Sequence, residues 1–164
     1  PKNSCFQPLY TLEYIDGNFE NMTVNEDCLV LNIWSPQLPE NGTHFEAKSV
    51  MFFIYGGSFT IGSIYQSLYD GRVLATNDVV VVTANYRLGA FGFLYGGQES
   101  VPGNMGLYDQ ILALKWVKEN VHQFGGNPEM VTIFGESAGS MSVGALVLSP
   151  ISRNLFKRAI LESG

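Results

Sequence analysis

Val131-Thr132-Ile133-Phe134-Gly135-Glu136-Ser137-Ala138-Gly139 is the stretch that decides the fold of this chain. A short β-branched run reads as a strand and ends at a glycine. Ser137 follows two residues later, a second glycine two after that, and Met141 to Leu148 reads as a helix. The segment fits G-x-S-x-G, the nucleophile elbow. Its spacing has a physical reason. A serine on a strained strand-to-helix turn points its hydroxyl away from both elements. A side chain two residues to either side would meet neighbouring backbone, hence Gly135 and Gly139. The following helix aims its N-terminal N–H groups at the reacting oxygen. A bare G-x-S-x-G is also an ordinary small-residue turn; the strand before it and the helix after it favour the elbow.

Working outward, strand-like and helix-like segments alternate, which predicts an α/β fold with a mostly parallel central sheet. Arg158–Glu162 reads as a buried last strand. Upstream, Leu107, Ile111, Leu114, Val117 and Val121 recur at helical spacing and predict a helix between Asn104 and Phe124. Asn104 is placed to cap it, and Gly125, Gly126 and Pro128 to stop it. Val79–Thr83 and the continuously apolar Val50–Tyr55 read as buried strands, and Cys28–Trp34 as an alternating one. A short helix is expected near Gly71–Thr76 with Asp70 as its cap. The Gly96-Gly97 pair is expected in a loop. Val50–Tyr55 runs into Gly56-Gly57-Ser58-Phe59. A glycine-rich turn after a central strand can supply N–H groups to an oxyanion.

The 164 residues suffice for one domain, and 46% of them are hydrophobic. A net charge of −6 without a basic cluster argues against a nucleic-acid partner. No apolar run reaches the roughly 18 residues of a membrane span. No Cys/His spacing suggests a metal, and Gly96-Gly97 lacks a P-loop lysine. The two cysteines, Cys5 and Cys28, are either free thiols or one disulfide. Two sequons, at Asn21 and Asn41, favour the secretory route and with it the disulfide. Both ends read as cut points, so residues 1–164 are expected to be part of a larger domain.

Four segments in order resemble the type-B carboxylesterases and cholinesterases. They are Glu26–Ile33, Asn85–Phe93, Pro102–Gln110 and Phe124–Gly139. The resemblance covers nearly the whole chain and implies the α/β-hydrolase fold, of which this would be an N-terminal-side fragment. It implies Ser137 as nucleophile, with the N–H groups of Gly57, Ser58 and Ala138 as oxyanion hole. Gly56 and a buried Glu136 would support the site, Cys28 would pair with Cys5, and Arg87 and Asp109 would form a structural salt bridge. No cofactor is implied. The partner would be a small-molecule ester, and the protein would be secreted or in the ER lumen. A membrane anchor or a homo-oligomer interface would lie outside these residues.

The sequence departs from the family pattern at several points. Ser58 replaces a third glycine; if its φ is positive, its side chain costs roughly 1–2 kcal/mol and narrows the acyl side of the pocket. Tyr55 stands where many carboxylesterases have histidine, and Tyr69-Asp70-Gly71-Arg72 leans toward cholinesterases. Residues 13–22 hold Tyr14 and Phe19 but no tryptophan platform for a quaternary ammonium, which weighs against choline specificity. The fold orders its triad serine, acid, histidine. Both histidines, His44 and His122, precede Ser137, so the base is expected outside residues 1–164, and these residues alone are expected to be nearly inactive and unable to fold stably. Two rival readings are a neuroligin-like adhesion protein and a slow, ester-sequestering esterase.

Overall fold

The computed structural model describes residues 2–8, 22–39 and 46–164. Asn21, Asn41, His44, Tyr14 and Phe19 lie outside the described residues. Among the described residues, nine strands and four α-helices follow in order: β1 (Lys2–Ser4), β2 (Met22–Val24), β3 (Leu31–Trp34), β4 (Lys48–Ile54), α1 (Arg72–Ala75), β5 (Val80–Ala84), α2 (Gly89–Phe93), β6 (Tyr95–Gln98), β7 (Val101–Pro102), α3 (Met105–Asn120), β8 (Gly126–Glu136), α4 (Ala138–Leu148) and β9 (Arg158–Glu162).

The central sheet has the order β3-β5-β4-β8-β9. β3 runs antiparallel to β5, and the other three pairings are parallel. Val50, Phe52 and Ile54, Val80 and Val82, and Val131 and Ile133 point to one face and are buried. Ile111, Leu114 and Val117 of α3, with Val143 and Leu146 of α4, join the same core. The predicted apolar stripe is therefore the covered face of α3, with Leu107 half-buried. On the other face, α1 packs close to Trp34 and Val81: a Cβ on Gly71 would lie 2.6 Å from the indole and 2.8 Å from Val81. Among the described residues no helix is long and apolar enough to cross a membrane.

Several local expectations are corrected. β8 extends back to Gly126, through Pro128, because a register shift opposite Lys48–Val50 accommodates the extra residues. Proline sits in a central strand only at such a bulge. Asn104 occupies the N-cap position of α3 in the left-handed region, φ 61°, and makes no side-chain cap. Gly96 and Gly97 lie in β6 of a small hairpin rather than in a loop. Among the described residues β9 is an edge strand, and there Ile160 and Leu161 are exposed rather than buried. Asp70 does bond the first turn of α1, accepting from the Arg72 N–H at 3.0 Å, and it also receives the Arg72 guanidinium.

Candidate active site

Parallel pairing brings the two chemical segments together. Ile54 of β4 is in register with Gly135 of β8, so both strands end at the same edge of the sheet. There the chain turns into Gly56-Gly57-Ser58 on one side and Glu136-Ser137 on the other. The approach is close: a Cβ on Gly56 would lie 2.6 Å from the Glu136 carbonyl and 3.1 Å from Ser137 Cβ. Only glycine lets this turn lie against the serine.

Ser137 itself has φ 54° and ψ −123°, a strained conformation for a residue with a side chain. The surroundings hold it there. Its N–H donates to the Glu162 carbonyl of β9 at 2.9 Å, and its carbonyl accepts from the Met141 N–H at 3.0 Å. The flanking glycines are sterically required. A Cβ on Gly135 would sit 2.6 Å from the Gly139 backbone, and one on Gly139 would sit 2.0 Å from the Ile54 carbonyl. The start of α4 is thus pressed against the end of β4. Ala138, its first residue, is buried and opens the helix beside the serine.

The glycine turn runs through three successive residues of positive φ: Gly57 at 116°, Ser58 at 55° and Phe59 at 61°. Such a turn directs neighbouring N–H groups into one concavity, as an anion requires. The Gly57 carbonyl is held from the other side by the N–H groups of Thr60 and Ile61 at 3.0 and 3.1 Å. Ser58 therefore does occupy the left-handed region, and its side chain is exposed at the site. Phe59, which carries no signal in the motif, anchors the turn. Its carbonyl accepts from the Gly89 N–H at 2.7 Å, and its ring meets Phe93 edge-on at 5.0 Å.

Behind the turn, Tyr55 and Tyr86 stack at 4.5 Å. The Tyr86 hydroxyl donates to the Tyr55 carbonyl at 2.8 Å, and the Tyr86 N–H donates to the Tyr55 hydroxyl at 3.3 Å. Burial raises both phenols well above their ordinary range. Tyr55 is 1% exposed, so it braces the strand end instead of facing substrate. Arg87 and Asp109 form a two-point ion pair, with Nε and Nη2 each 2.8 Å from a carboxylate oxygen, and the Arg87 N–H adds a third bond at 3.0 Å. The pairing raises the guanidinium pKa. Cys5 and Cys28 are joined by a disulfide, with Cα atoms 4.9 Å apart.

Glu136 requires a correction. It is exposed rather than buried, because it stands at the end of β8 where no described element covers it. Its carboxylate still lies against Gly56, and its charge, after burial, helps raise the Tyr69 phenol pKa. His122 lies in the 3-10 turn Val121–Phe124, before β8 begins, whereas Ser137 follows the strand's other end. An 11-residue strand separates them, which spans about 35 Å at the strand rise. His122 cannot serve Ser137. Among the described residues no group of three or more His, Cys, Asp or Glu could hold a metal ion.

A family model described as "Carboxylesterase family" matches residues 1–164. The chain belongs to the carboxylesterase family. Among relatives in that family, the acetylcholinesterase of Danio rerio is 60% identical over 99% of this chain and 26% of its own length. The acetylcholinesterase of Electrophorus electricus is 56% identical over the whole chain and 28% of its own length. A solved thermophilic pNB esterase superposes with a TM-score of 0.88 at 45% identity, over 99% of this chain and 33% of that one. The family's α/β-hydrolase fold is therefore the fold of this chain, which spans about a quarter to a third of the relatives it matches.

Proposed function

We propose that this chain carries the nucleophile and oxyanion hole of a serine hydrolase that cleaves carboxylic esters. The observation that carries the reading is the strained Ser137, held at φ 54° against a glycine turn at the shared edge of β4 and β8. In the proposed reaction the Ser137 hydroxyl oxygen attacks the ester carbonyl while its proton passes to a general base. The charge that develops on the carbonyl oxygen is met by the N–H groups of Gly57, Ser58 and Ala138. The C–O bond to the alcohol breaks, the alcohol leaves with the base's proton, and an acyl-serine remains. Water repeats the sequence to release the acid. The base and its orienting acid are assigned to the protein beyond residues 1–164. No cofactor takes part.

The Cys5–Cys28 disulfide supports a secreted or ER-lumenal setting. For the substrate, the acetylcholinesterase relatives point to choline esters, and the likeness to a pNB esterase points to a non-choline ester. The exposed Ser58 side chain narrows the acyl side, so short acyl groups are favoured. Hydrolysis by the complete protein of p-nitrophenyl acetate, p-nitrophenyl butyrate and acetylthiocholine tests this. Turnover of at least one ester, falling from acetate to butyrate, is expected; a folded protein that cleaves none contradicts it. A neuroligin-like adhesion role is disfavoured by the intact elbow. A single burst of alcohol without turnover would mark the slow, ester-sequestering reading.

A further inference from the structure

Gln110 is 2% exposed, in the middle of α3, and Ser142 is fully buried on the facing side of α4. The Gln110 side-chain N–H donates to Ser142 Oγ at 3.1 Å. The Ser142 hydroxyl donates in turn to the Ala138 carbonyl at 3.0 Å. The result is a directed chain of two hydrogen bonds from one helix to the first turn of the next. Its last acceptor belongs to the residue whose N–H is assigned to the oxyanion hole.

The residue types argue for direction over packing. Gln110 Oε1 is buried and has no partner among the described residues. A half-satisfied amide between two helices is costly, and a methionine of similar size would fill the space without that cost. Gln110 is placed so that its donor occupies a Ser142 lone pair, and the single Ser142 proton goes to the Ala138 carbonyl. A hydroxyl bonded to the carbonyl four residues back bends a helix locally. Here that bond falls on the turn that presents Ser137 and the Ala138 N–H.

We propose that Gln110 is a positioning residue: acting through Ser142, it sets the orientation of the first turn of α4 and so the aim of the Ala138 oxyanion donor. The inference rests on the esterase reading of Ser137. Its effect falls on transition-state stabilisation and not on substrate binding.

The test uses the complete protein with Gln110→Met, Ser142→Ala and the double variant. It measures kcat and KM for p-nitrophenyl acetate, the fluorophosphonate labelling rate, and Tm. Each single variant is expected to lower kcat and labelling on the order of tenfold, less than the 10²–10³ lost with an oxyanion donor itself. KM should stay within about twofold, because ground-state binding is untouched. The double variant should be no slower than the slower single one, because both act through one chain. Unchanged kcat in folded variants with a lower Tm would overturn the inference, since that is what a mere tie between helices predicts. So would losses that multiply in the double variant. If Gln110→Met does not accumulate, Ser142→Ala, which removes one oxygen, decides by the same readouts. An inert parent protein would sink the esterase reading and this inference together; an active parent with unaffected variants would sink the inference alone.

Discussion

Ser58 shows how one side chain bears on both stability and rate. At φ 55° it sits where glycine is unstrained and any other residue costs roughly 1–2 kcal/mol. Glycine gives part of this back as unfolded-state entropy, about 0.5–1 kcal/mol. Ser58→Gly is therefore expected to raise stability by up to about 1 kcal/mol, read as a higher denaturant midpoint, and to widen acyl preference so that butyrate gains on acetate. A variant less stable than the parent with an unchanged acyl ratio would contradict this. At this scale the strained turn at Ser137 was legible because the elbow tolerates few residue types. The Arg87–Asp109 pair came from the resemblance and is formed in the structure. Glu136 was misjudged because burial belongs to what covers a residue, which its own neighbours in sequence do not state. Phe59 was missed because its role depends on Phe93 and Gly89, distant in sequence.

At the scale of elements, α4 carries two glycines with opposite expectations. Gly139 abuts the end of β4, where a Cβ would lie 2.0 Å from the Ile54 carbonyl, and two backbones cannot both give way. Gly144 meets only Leu161 Cδ2, at 3.6 Å, an ordinary contact. Gly139→Ala is expected to cost about 3 kcal/mol or more and to abolish serine labelling. Gly144→Ala should gain up to about 1 kcal/mol from helix propensity alone. Chemical unfolding of the two variants side by side checks this, and equal effects would refute the packing argument. The strands and helices that periodicity marks, β4, β5 and α3, lie near where the pattern puts them. β8 was read too short because Gly126, Asn127 and Pro128 have no strand propensity; they join the sheet through a bulge opposite β4. β9 was read as buried because Ala159, Ile160 and Leu161 are apolar, yet its place at the edge follows from strand order, which no local pattern carries.

At the scale of the whole molecule, the N-terminal segment is tied on by a disulfide as well as by buried contacts, such as Ser4 Oγ with Ser63 Oγ at 2.7 Å. β1 and β2 form their own two-stranded sheet, and the Cys5–Cys28 bridge closes a loop across a sequence separation of 23 residues. Loop-closure entropy for that span gives a stabilisation of about 3 kcal/mol. Cys5→Ser/Cys28→Ser is expected to lower stability by that order in the complete protein; no loss would mean that packing alone holds the segment.

The larger architecture was legible because the alternation of elements after residue 28 allows few topologies other than a parallel sheet. What sequence and fold together place at one edge of the sheet is a strained serine against a glycine turn, the proposed nucleophile and oxyanion hole. The central claim is that Ser137 is an activated nucleophile. Its most direct test is to treat the complete protein with a serine-reactive fluorophosphonate and map the adduct by peptide mass spectrometry, with Ser137→Ala as control. A single adduct on the peptide bearing Ser137, absent in the control, is the predicted result. A folded protein that takes no adduct, or takes it at another serine, would contradict the account.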